Sequence, residues 1–118
     1  DEGITVSLFI DPHPQQITAA REVNADAIEI HTGNYANASQ HSEEKAELQR
    51  IKKSVTLAKS LDLNINAGHV LHYDNVQPIA AIKDIRELNI GHAIISRAVF
   101  SGLANAILQM KHLMLTAK

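Results

Sequence analysis

Two histidines of this chain each follow a glycine where a short apolar run gives out: His69 in "INAGHVLH" and His92 in "NIGHAII". An imidazole titrates near neutral pH and can both give and take protons. Gly68 lets a ligand or a neighbouring backbone come close, and a helix opened by Gly91 and His92 would offer free N–H groups to a phosphate. Glu29 and His31 in "AIEIHTG" form a third candidate. On a strand, residues two apart project to one face, so a carboxylate and an imidazole share a cavity while Ile28 and Ile30 point the other way. A plain structural reading stands beside the chemical one, with Glu29 a paired buried acid and His31 and His69 bonded to loops. Charged groups are rare inside strands unless paired or functional, and their grouping with two Gly-His pairs favours chemistry.

The elements that must position these residues follow from periodicity. Residues 4–10 form a β-branched apolar run stopped by Asp11 and Pro12, which reads as a strand. A helix over 14–23 follows, with Ile17, Ala20 and Val23 on one face. Residues 25–31 read as a second strand ended by Thr32 and Gly33. Residues 39–61 read as a helix whose stripe is Leu48, Ile51, Val55 and Ala58, with acids early and lysines late, as the helix dipole favours. Residues 63–69 predict a third strand. Residues 76–88 predict a third helix, with Asn75 as N-cap and Pro78 in its first turn. Residues 90–93 predict a fourth strand, and 94–114 a helical tail weakened at Gly102, with Leu103, Ile107, Met110 and Met114 on one stripe.

This βαβαβαβα order implies parallel strands joined by right-handed crossovers, as in a doubly wound sheet or a (β/α)8 barrel. A complete barrel takes about 250 residues, so 118 residues supply half of one. In both architectures chemistry gathers at the carboxyl ends of the strands, where His31, His69 and His92 fall. The chain begins at Asp1 and enters an apolar pattern within about three residues, which reads as a piece of a longer protein.

Composition narrows the function classes. A net charge of -2, with 11 basic and 13 acidic residues and no basic cluster, argues against a nucleic-acid partner. Two Phe, two Tyr and no Trp leave no stacking platform for bases. No stretch approaches the roughly 20 apolar residues of a membrane span, and no cysteine is present for disulfide or thiolate chemistry, so a cytoplasmic location is expected. His69-x-x-His72 with Asp74 looks ligand-like, but the H-E-x-x-H helix of zinc hydrolases is missing, and no metal is expected. His13, His41 and His112 fall in a loop, at a helix start and at a helix end, and are read as solvated.

The segments "VSLFID", "IEIHTGNYA", "NAGHVLHYDNV" and "ELNIGHAIISRAV" together resemble, in order, the C-terminal half of the pyridoxine 5'-phosphate synthase family of vitamin B6 biosynthesis. The resemblance implies one partial domain over residues 1–118, strands five to eight of a TIM barrel. It implies condensation of 3-amino-2-oxopropyl phosphate with 1-deoxy-D-xylulose 5-phosphate, without metal or organic cofactor. It assigns proton transfers to Glu29, the general acid to His69, and substrate binding to Val70, Gly91 and His92. Val70 departs from the family's Ala-Gly-His-Gly, and valine disfavours positive φ. A homo-oligomer is implied, and the missing N-terminal half is needed for a complete site, so this chain alone is expected to be inactive and, with open strand edges, to self-associate. Two other classes remain as alternatives, half of a metal-dependent TIM-barrel hydrolase and a non-catalytic phosphate-binding half-barrel.

Overall fold

A computed structural model describes residues 2–117. Strands β1 (Ser7–Ile10), β2 (Ala27–His31), β3 (Asn64–Gly68) and β4 (Glu87–Asn89) form one parallel sheet in strictly sequential order. A doubly wound sheet reverses its strand order at a switch point, and this sheet does not. Helices α1 (Pro14–Glu22), α2 (Gly33–Ala36), α3 (His41–Ser60) and α4 (Val76–Ala80) lie in the crossovers, and α5 (His92–Ser101) and α6 (Leu103–Thr116) follow β4. The arrangement is consistent with half of an α/β barrel.

Strand alternation decides which face meets the helices. Ile28 and Ile30 of β2 and Ile65 and Ala67 of β3 are buried in a core with Ile17 of α1, Ile51 and Val55 of α3 and Ile79 of α4. The opposite face is mostly polar: Ser7, Glu29, Asn64, Asn66, Glu87 and Asn89 share it with two apolar side chains, the buried Ala27 and Phe9, which is 53% exposed. The radius of gyration is 14.9 Å within extents of 44 × 41 × 22 Å. A closed domain of this length would have about 13.5 Å, so the chain is a slab with one face uncovered.

Helix α3 realises its sequence signals, with Glu43 and Glu44 in the first turn, Lys59 in the last, and Ile51, Val55 and Ala58 buried. The weak point in the tail is a real joint, since Gly102 takes φ 78 between α5 and α6, a conformation that glycine adopts without strain.

Two expected elements are corrected. The helix expected over 76–88 ends at Ala80, and the chain steps through turns at Ile82 and Ile85 before the Arg86 N–H donates to the Ile65 carbonyl at 2.8 Å and the edge strand begins. The fourth strand is therefore Glu87–Asn89, not 90–93. Register with β3 places it, since Glu87 stands opposite Asn66 and Asn89 opposite Gly68, although "ELN" has the composition of a helix tail. Gly91 then caps α5, so the expected strand residues His92 and Ala93 are helical. Helix α2 was not foreseen, because residues 32 and 33 read only as a strand stop.

Candidate active site

The carboxyl ends of β2, β3 and β4 bring Glu29, Gly68 and Asn89 together. Glu29 and Asn89 lie two strands apart, yet the Asn89 side-chain amide donates to Glu29 Oε2 at 2.7 Å. The bond passes over β3 at Gly68, where a side chain is excluded. A methyl group there would overlap the Glu29 carboxylate and lie 2.8 Å from the Asn89 carbonyl oxygen. Gly68 thus allows the close approach that its place before His69 suggested. Gly91 has no such cause, for a methyl group there would meet nothing within 4 Å. The two Gly-His pairs share a spelling and differ in reason.

Beyond β3 the backbone turns through two non-glycine residues with positive φ, His69 at 92° and Val70 at 59°. Each such residue costs on the order of 1–3 kcal/mol, and for a β-branched valine the conformation is a genuine outlier. The turn is tied on both sides. The Thr32 hydroxyl donates to the carbonyls of Gly68 and His69, both at 2.7 Å, and the Asn75 side chain accepts from the His72 N–H at 2.7 Å and donates to the Val70 carbonyl at 3.2 Å. Asn75 had been expected to cap α4, but its side chain makes no cap bond because both its groups serve this turn. Its carbonyl in turn accepts from the Tyr35 hydroxyl at 2.8 Å. Burial, and secondarily the Glu44 carboxylate, pushes the Tyr35 phenol up to about 12.

The rings of His69, His31 and Phe9 form a group, with His31 4.5 Å from His69 and 4.9 Å from Phe9 between centroids. His31 Nδ1 accepts from the Gly33 N–H at 3.1 Å, so the proton of neutral His31 sits on Nε2. His31 projects to the same face as Glu29, as its spacing required, but it flanks His69 and does not line the cavity.

Glu29, His69, Val70, Gly91 and His92 all line one open cavity of about 680 Å³, together with Asn89 and Phe9. His92 is the first residue of α5, whose leading amides have no acceptor within the helix. The remaining histidines are elsewhere employed. His13, read as solvated, caps α1 through Nδ1, which accepts from the Gln15 N–H at 3.4 Å. His41 opens α3, and His112 lies exposed on α6. His72 Nδ1 accepts from the Asp74 N–H at 3.2 Å, and among the described residues no group of three or more His, Asp or Glu is placed to hold a metal ion. Sequence reasoning missed Asn89, Thr32 and Asn75 as partners of the site. Asn89 was hidden by its misplaced strand; Thr32 and Asn75 carried only the ordinary signals of a strand stop and a helix cap.

The model of the family described as "Pyridoxal phosphate biosynthesis protein PdxJ" matches residues 1–116. The chain belongs to this family. Every cavity residue lies inside the matched span of the PdxJ family. The pyridoxine 5'-phosphate synthases of Legionella pneumophila strains Corby and Lens are each 56% identical to it over 116 residues. Those matches cover 98% of this chain and 47% of theirs, so the chain spans about half the length of these curated PdxJ relatives.

Proposed function

We propose that this chain is one partial domain, strands five to eight of a (β/α)8 barrel, and that with the remainder of that barrel it acts as a pyridoxine 5'-phosphate synthase in the cytoplasm. The reaction would condense 3-amino-2-oxopropyl phosphate with 1-deoxy-D-xylulose 5-phosphate to pyridoxine 5'-phosphate, phosphate and water. One observation carries the reading: Glu29, His69, Val70, Gly91 and His92, chosen from sequence, line a single cavity.

Imine formation, elimination and ring closure each move protons, and the cavity offers an acid and a base for them. Glu29 relays protons through the oxygen that Asn89 leaves free, while the amide fixes the carboxylate's direction. His69, at the cavity rim, acts as general acid. The N–H groups at the start of α5, at Gly91 and His92, hold a substrate phosphate, favoured by the helix dipole. Val70 contributes its backbone N–H and narrows the entrance. No metal ion or organic cofactor takes part in this scheme. The uncovered polar face of the sheet is where the other half brings the remaining substrate contacts, and the complete protein assembles as a homo-oligomer.

The test is turnover of the two phosphorylated substrates by the complete enzyme, read as phosphate released and pyridoxine 5'-phosphate formed. His69→Asn and Glu29→Gln should each lower turnover about 100-fold, the scale of a positioned acid or base, with KM changed less. Near-native rates in both variants reject these roles.

A further inference from the structure

Thr32 stands at the N-cap of α2, where a threonine oxygen ordinarily accepts a bond from the helix's own N–H. It makes no such bond. The residue is 0% exposed, and its hydroxyl reaches across to β3, sharing its single proton between the carbonyls of Gly68 and His69, each 2.7 Å away. Its own N–H also donates to the Gly68 carbonyl at 2.9 Å. Those two carbonyls belong to the peptide units on either side of the His69 Cα. The orientation of two flanking peptide planes is what defines a residue's φ and ψ, so one buried hydroxyl fixes the unusual φ of 92° from which the His69 ring departs.

Asn75 does the same for the next two units, holding the Val70 carbonyl and the His72 N–H. Four successive peptide units are thus held by two side chains. Resting on the reading of His69 as general acid, we infer that Thr32 is a positioning residue for His69, with Asn75 as the second clamp of the same turn. A solvent-facing turn with two residues at positive φ would otherwise relax toward negative φ and swing the imidazole out of the cavity that it lines with Glu29. The direction of the hydroxyl is the physical sign of this role, since its bonds go to the carbonyls of the turn and none to the amides of its own helix.

The experiment uses the complete enzyme. Thr32→Val keeps the side-chain shape and removes the hydroxyl. Its kcat should fall about 10-fold or more with KM changed less, because a displacement near 1 Å of a reacting group costs up to about 100-fold. Thr32→Ser, which keeps the hydroxyl, should recover most of the rate. A folded Thr32→Val enzyme with native kcat overturns the inference, as do equal losses in the valine and serine variants. If circular dichroism shows that Thr32→Val does not fold, Asn75→Asp decides. It keeps the acceptor for the His72 N–H and loses the donor to Val70, so a lowered kcat at preserved KM supports the clamp and a native kcat overturns it. His69→Asn run alongside separates the two readings. Native turnover in that variant removes the acid role and the inference with it, whereas a dead His69→Asn beside a fully active Thr32→Val removes the inference alone.

Discussion

Val70 carries a β-branched side chain at φ 59 and is 43% exposed at the mouth of the cavity, so its strain is not offset by burial. Val70→Gly should therefore stabilise the protein by about 1 kcal/mol, the relief of strain less the added freedom of the unfolded glycine, as read from urea unfolding midpoints. It should also widen the entrance and tighten substrate binding, and unchanged affinity would show that the side chain does not crowd the site. Asn89 gives a second test at this scale. Asn89→Leu leaves Glu29 without its 2.7 Å donor and should lower turnover about 10-fold, because the carboxylate loses its fixed direction. Individual residues were unevenly legible. Types with intrinsic chemistry stood out in the sequence, Glu29 as a charge inside a strand and His69 and His92 as histidines that follow a glycine, although His92 opens a helix and does not end a strand. Asn89 and Thr32 meet partners 60 and 36 positions away in sequence, and no local pattern encodes such pairings, whereas Asn75 bonds residues 3 and 5 positions back and its local signal was read as a helix cap.

The long helix α3 was plain from its stripe, and that stripe makes a prediction. Ile51 is 1% exposed against the sheet, so Ile51→Ala should cost about 2–5 kcal/mol and lower the denaturation midpoint accordingly. Short elements were read less well. β4 is three residues long and polar at both ends, and its existence depends on pairing with β3, a tertiary cause that overrides local propensity. Helix α2, four residues long, is joined to the start of α4 by the Tyr35 hydroxyl on the Asn75 carbonyl. The Tyr35 phenol is raised from 10.0 to about 12 by burial first and Glu44 second, so the folded state resists its ionisation. Its contribution to stability is complete below pH 10.0 and is lost as pH rises toward about 12. Chemical denaturation across that range should show a decline that Tyr35→Phe reduces.

At the scale of the molecule, both edges of the sheet are unpaired among the described residues and the polar face is uncovered. Exposed apolar surface on the strands of that face comes down to Phe9; more lies on α5, which buries none of its residues and leaves Val99 77% and Phe100 92% exposed. The isolated 118-residue chain should self-associate at micromolar concentration, and a monodisperse monomer in sedimentation would count against the open-edge reading. The parallel order of the strands was legible because alternating periods leave few topologies; the polarity of the free face was legible only in part, because alternation assigned Glu29 to it while the parity of residues 7–10 and the place of the fourth strand are fixed by pairing. The carboxylate-to-amide bond over Gly68 also bears on how this sheet can change with time. Any residue larger than glycine at 68 displaces the Glu29 carboxylate and presses on the main chain of Asn89; replacing Asn89 would free the carboxylate to swing aside but would leave its carbonyl oxygen, 2.8 Å from a methyl group at 68, in place. The main chain of β4 therefore demands glycine at 68 whatever stands at 89, and lineages of such sheets should keep the glycine even where the amide has been lost.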